Sequence, residues 1–234
     1  MSSKDWTLID VGKVLVILVL LIFIARFARA DFVQTSAVST PLRTAVVMLL
    51  VYGVLTLLVL YFAVVKYRGS LKDVGFTSFG FGRAVGLAVI WLVILRVVSI
   101  IYGIIASIVG TILRAKPPTE LVTRIPHLFG YGYRGLLVAI VIGALAAPVV
   151  EELFFRGFLY PALRRRLGVA GGIVVSAVIF GLFHANAWLI FPTTAIGMIL
   201  AYLYEREGSL GPSIMLHSLN NLISIVIIYS AVIR

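Results

Sequence analysis

The chain contains no cysteine. Disulfides, a thiol nucleophile and thiolate-ligated metals are therefore excluded. Acidic residues are also scarce, nine Asp and Glu against 20 Lys and Arg, and charged residues of all kinds make up only 12%. A soluble domain carries about 25%. What fills the chain instead is apolar: 62% of its 234 residues are hydrophobic, more than one soluble core of this size can hide. No low-complexity tract, soluble linker or internal repeat interrupts it.

The apolar residues come in long runs, the mark of membrane-spanning helices, which need about 20 residues to cross a bilayer. Seven spans are expected, near residues 11–25, 44–65, 84–113, 135–163, 169–184, 188–204 and 209–232, with room for an eighth short or re-entrant helix. The fold class is thus all-α, a polytopic transmembrane bundle. The fifth run is short enough to stop inside the protein. Arg26 and Arg29 sit where a signal-peptide cleavage region is neutral, so the first run reads as a retained helix.

The net charge of +11 would suggest nucleic acid in a soluble protein. Here most Lys and Arg stand at the ends of apolar runs, where they anchor helices against anionic headgroups. The expected partner is the lipid bilayer, not nucleic acid. The basic residues outside the spans divide almost evenly between the two sides, slightly favouring a cytoplasmic N-terminus. The connector 114–134 combines Pro117, Pro118 and Pro126 with Phe129, Tyr131 and Tyr133. It suits an anchor in the headgroup layer or a loop gating substrate entry.

Ionisable groups inside spans are costly and point to function. They cluster in the second half: Glu151, Glu152 and Arg156 in the fourth span, His184 at the end of the fifth, His217 and Asn221 in the seventh. Adjacent helical residues point about 100° apart, so Glu151 and Glu152 divide into two roles. Glu152 and Arg156 share a face, acid before base, and can form an ion pair that keeps both charged in a low dielectric. Glu151 is left free of that partner, as a general base must be. A purely structural cluster of all three is the alternative. His217 and Asn221 also share a face, which equally suits helix–helix hydrogen bonding, and Phe180 can pack on the His184 ring one turn later. Counted along the helices, these groups lie about 10 to 24 Å deep on one side, within reach of one intramembrane polar cavity. A carboxylate and an imidazole can activate water, and a histidine with an asparagine can hold an oxyanion. That is equipment for peptide hydrolysis. Ser218 points off the His217 face and is a poor nucleophile candidate.

Glu151-Glu152-x-x-x-Arg156, Phe180-x-x-x-His184 and His217-x-x-x-Asn221 resemble the three motifs of the CPBP intramembrane proteases, which include type II CAAX prenyl endopeptidases and bacteriocin-processing or self-immunity proteins. The likeness covers roughly residues 135–234, the expected catalytic helices. Residues 1–134 supply N-terminal helices and the interfacial connector of the same membrane domain. The stretch 205–212 also resembles the family's turn before the last motif, with Gly211 where an aromatic is common. The resemblance implies that Glu151 and His184 activate water, that His217 and Asn221 form the oxyanion hole, and that Glu152 and Arg156 hold the site together. It implies a membrane-tethered peptide substrate, prenylated in the CAAX-type members, and an integral protein of a bacterial or archaeal cell membrane. Members have been labelled metalloproteases, and His184, His217 and Glu151 could hold zinc with an open position. The chain lacks His-Glu-x-x-His, and a metal-free mechanism with no cofactor is the favoured expectation. A proton-coupled transporter and a non-catalytic immunity or binding protein are the rival readings.

Overall fold

The computed structural model describes residues 6–32, 40–115 and 120–233, by backbone alone at 25–32, 40 and 120–124. Among the described residues every regular element is a helix. In chain order they are α1 (Leu8–Phe32), α2 (Thr40–Leu60, prolonged by a π segment, Tyr61–Lys66), a 3-10 turn (Leu71–Val74), α3 (Phe81–Ile112), α4 (Glu120–Phe129), α5 (Gly132–Ala139), α6 (Ala147–Glu152), α7 (Tyr160–Phe183), α8 (Ala187–Glu207) and α9 (Leu210–Val232). Two further π segments, Ile140–Ala146 and Leu153–Leu159, flank α6. Among the described residues, five helical runs are long and apolar enough to cross a membrane: Pro41–Lys66, Phe81–Ile112, Gly132–Phe183, Ala187–Glu207 and Leu210–Val232. The protein is an all-α polytopic membrane bundle.

The run Gly132–Phe183 holds two of the expected spans. Gly168 breaks it with φ 72° and ψ −179°, a backbone state that is open to glycine and strained for residues with a Cβ. The break falls just after Arg164-Arg165-Arg166, whose charge belongs at a membrane face. Beyond it the chain folds back, since Phe155 meets Phe180 at 5.0 Å and Phe183 at 5.7 Å between ring centroids. The returning helix ends at Phe183. His184 caps it, Ala185 turns with φ 48°, and the Asn186 side chain accepts from the Trp188 amide to start α8. This tight turn explains why the fifth apolar run is short.

α7 packs along α8, and α3 along α9. The largest core joins Val11, Val14 and Leu18 of α1 and Leu55 and Val59 of α2 to Phe154, Phe155 and Phe158 of the second π segment. Outward residues such as Ile90, Val93, Ile100 and Ile104 of α3 are exposed, as lipid-facing positions should be. At one end, Trp6 donates its indole N–H to the Phe158 carbonyl at 2.7 Å. There Asp10 accepts from Lys66 Nζ at 2.5 Å and from the Tyr67 hydroxyl at 2.7 Å. These bonds fasten α1 and α2 against the helix that carries the acidic pair.

In the connector, α4 is a ten-residue helix, too short to span. Phe129 is buried while Tyr131 and Tyr133 are exposed, and the Tyr229 hydroxyl of α9 donates to the Gly130 carbonyl at 2.7 Å. The unusual Gly211 is explained by a neighbour in space. A Cβ there would lie 2.1 Å from the Phe79 ring, so an aromatic from the approach to α3 occupies the space a side chain would need.

Candidate active site

The site is built from α6 outward. Glu152 closes α6 and is fully buried. Its Oε1 accepts from Arg156 Nη1 at 2.8 Å and from His217 Nδ1 at 2.9 Å. Arg156 is itself buried, donates from Nη2 to the Gly197 carbonyl at 3.1 Å, and stacks its guanidinium 4.6 Å from the Phe180 ring centroid. Burial without partners would be prohibitive for either charge, so the pairing is what allows them here. Three helices are tied through one carboxylate: α6 with its π extension, α8 through Gly197, and α9 through His217.

Because a carboxylate only accepts, His217 Nδ1 carries the hydrogen. Its Nε2 then points toward Glu151, 3.8 Å from Oε2. Glu151 is separated from Glu152 by the rotation expected of neighbouring helical residues, and its side chain is 25% exposed where that of Glu152 is 0%. His184 is fixed by the same logic. Its Nδ1 lies 3.0 Å from the Phe180 carbonyl, another pure acceptor, which leaves Nε2 with the lone pair in the neutral ring. The Phe180 ring holds both imidazoles edge-on, at 5.0 Å from His184 and 5.7 Å from His217.

Glu151 and His184 line one cavity of about 360 Å³. Its other walls are apolar and come largely from α1 and α2: Leu18, Val47, Met48, Val51 and Leu55, with Tyr52 as the polar exception. Asn221 is placed differently. Its Nδ2 donates to the Gly143 carbonyl in the first π segment at 2.9 Å, and it is not among the cavity-lining residues. The six residues singled out in the sequence therefore form a buried core (Glu152, Arg156, His217), a cavity face (Glu151, His184) and a flank (Asn221).

Two participants lay outside that set. Tyr52 stands on the cavity wall; its signal was a hydroxyl in mid-span. Arg96 of α3 donates to Asn220 Oδ1 at 2.6 Å and to the Asn220 carbonyl at 2.8 Å, which ties α3 to the helix bearing His217. As for zinc, no three His, Cys, Asp or Glu side chains among the described residues are arranged to hold a metal ion.

Residues 133–223 match the family model described as Type II CAAX prenyl endopeptidase Rce1-like. The chain carries an Rce1-like segment. All six site residues lie within it, whereas α1 and α2, which supply most of the apolar cavity wall, lie before it. Over 82 residues the chain is 30% identical to a Bacillus subtilis (strain 168) protein described as "Putative membrane peptidase YdiL", an alignment covering 35% of this chain and 34% of that one. It is 25% identical over 79 residues to "UPF0177 protein YxdF" of Lactococcus lactis subsp. lactis (strain IL1403), covering 33% and 43%. The matched stretch thus spans under half the length of each relative. No solved structure matches the chain. Its apolar helices, together with these bacterial relatives, make it an integral protein of a bacterial membrane.

Proposed function

We propose that the protein is an intramembrane endopeptidase that hydrolyses a peptide bond of a membrane-associated substrate with water activated by Glu151 and His184. The observation carrying this reading is that Glu151 and His184, on different helices, face the same cavity. Glu151 takes a proton from water while the His184 Nε2 lone pair orients it. The resulting hydroxide attacks the scissile carbonyl carbon, and the proton held by Glu151 passes to the leaving amine. The oxyanion of the tetrahedral intermediate is stabilised by Asn221 Nδ2, which has one hydrogen beyond that given to Gly143, and by His217 Nε2. For His217 the role carries a condition. Nδ1 already donates to Glu152, so Nε2 donates only from the doubly protonated ring.

The substrate reading rests on the cavity wall. Val47, Met48, Val51 and Leu55 offer no hydrogen bonds, so the wall fits an apolar side chain or a prenyl group beside the scissile bond. Val51→Trp is expected to narrow this space and lower kcat/KM for peptides with large apolar side chains by roughly 10- to 100-fold. Small-residue peptides should be cleaved nearly as before. A panel of tethered peptides differing at one residue measures it; equal losses for all of them would argue against a wall contact.

The test of function itself uses purified protein in detergent or vesicles with membrane-tethered peptides, prenylated and unmodified. Wild type is expected to cut at one bond, insensitively to chelator, and His184→Ala to lose roughly 100-fold or more. Substrate left intact by both proteins would overturn the reading.

A further inference from the structure

Arg96 is a guanidinium in mid-span on α3, outside the matched segment, and the chemistry above does not use it. It bonds Asn220 Oδ1 at 2.6 Å and the Asn220 carbonyl at 2.8 Å, with Ser224 Oγ at 3.4 Å. Asn220 Nδ2 in turn lies 3.4 Å from Asn221 Oδ1, the long link, and Asn221 Nδ2 is 2.9 Å from the Gly143 carbonyl. The chain of bonds has a direction. A guanidinium can only donate and a backbone carbonyl can only accept. With a pure donor at one end and a pure acceptor at the other, both intervening amides are fixed: each turns its oxygen toward Arg96 and its NH2 toward Gly143. Without the donor, nothing holds Asn220 in that sense; a turned Asn220 sets its oxygen against Asn221 Oδ1, and Asn221 is left oriented by the Gly143 carbonyl alone. The Gly143 acceptor lies in a π segment, a helical irregularity common at functional sites.

We infer that Arg96 is a positioning residue for the proposed peptidase: through Asn220 it sets the amide orientation of Asn221, so that Asn221 Nδ2 is a donor to the reaction. The inference rests on the oxyanion role given to Asn221 in the preceding section. It gives a purpose to a charge in α3 that otherwise only raises the cost of insertion.

Asn220→Asp separates positioning from mere helix bracing. The new carboxylate stays ionised beside the guanidinium and keeps the α3–α9 tie. It has no hydrogen to offer, so Asn221 must turn its NH2 toward it. Thermal stability in detergent is expected to equal or exceed wild type, while kcat falls roughly 10- to 100-fold with KM little changed. Arg96→Leu should lower kcat similarly, and Arg96→Lys, which retains a donor, should recover part of the loss. An Asn220→Asp protein as active as wild type overturns the inference. A second readout needs no turnover. In protein labelled with 15N-asparagine, the Asn221 side-chain amide pair, assigned by its loss in Asn221→Ala, should shift in both Asn220→Asp and Arg96→Leu. An unmoved Asn221 signal overturns the inference whether or not the protein cleaves peptide. Absence of cleavage by wild type, with the signal moving as expected, overturns the peptidase reading and leaves the orientation standing.

Discussion

Glu151→Gln is expected to lower kcat by about 10²- to 10⁴-fold, the range lost with a general base, while leaving the fold as stable as wild type. The substitution is nearly isosteric and removes only the ability to take a proton. The Glu151 side chain is 25% exposed, and its Oε2 lies 3.8 Å from His217 Nε2, beyond hydrogen-bond reach. Little of the folded state depends on its charge. The same exchange one residue later should behave in the opposite way. Glu152 Oε1 serves Arg156 and His217 together, so Glu152→Gln leaves a buried guanidinium without its counter-charge, and melting temperature falls along with activity. Measuring kcat and thermal unfolding side by side for the two variants separates base from brace. If Glu151→Gln cleaved normally, or if both variants melted alike, the division of labour between the adjacent carboxylates would be wrong.

That division could be read from the sequence because it depends on local geometry. Four-residue spacing puts Glu152 on Arg156, and a one-residue step turns Glu151 away; both hold in the structure. His184 was legible by its place at the end of a short apolar run. The cavity wall was not legible. α1 and α2 are apolar all round, so no pattern distinguishes the face that meets Glu151 from the face that meets lipid. Only packing selects Val51 and Leu55 for one and Leu50 and Leu57 for the other. Arg96 was conspicuous as a charge, yet its partner depended on how α3 and α9 are registered, which neither helix encodes alone. The π segments around α6 were hidden for another reason. Ile140–Ala146 and Leu153–Leu159 are largely apolar stretches, each with one glycine (Gly143 and Gly157), whose pattern does not distinguish a π turn from an α turn.

Arg156→Leu should cost about 3–5 kcal/mol of stability, the loss typical of breaking a buried pair from one side. Arg156 is 1% exposed and supplies Glu152 with its one full positive charge. Removing it leaves the buried Glu152 carboxylate with only its bond to His217 Nδ1. The Gly197 carbonyl on α8 loses a donor at the same time. Removing both charges should be gentler than removing one, because two well-packed apolar side chains need no solvation. Glu152→Leu combined with Arg156→Leu is therefore expected to recover most of the lost melting temperature. The recovery stays incomplete by about 1–3 kcal/mol, because His217 Nδ1–H is left unpaired. Activity should not return with stability. His217 owes its orientation to Glu152, and a freely rotating imidazole no longer directs Nε2 at Glu151. A double variant that is folded but inactive would mean that the buried pair is there to aim His217, with stability its precondition. A double variant that regained wild-type kcat would reduce the pair to packing and remove His217 orientation from the mechanism.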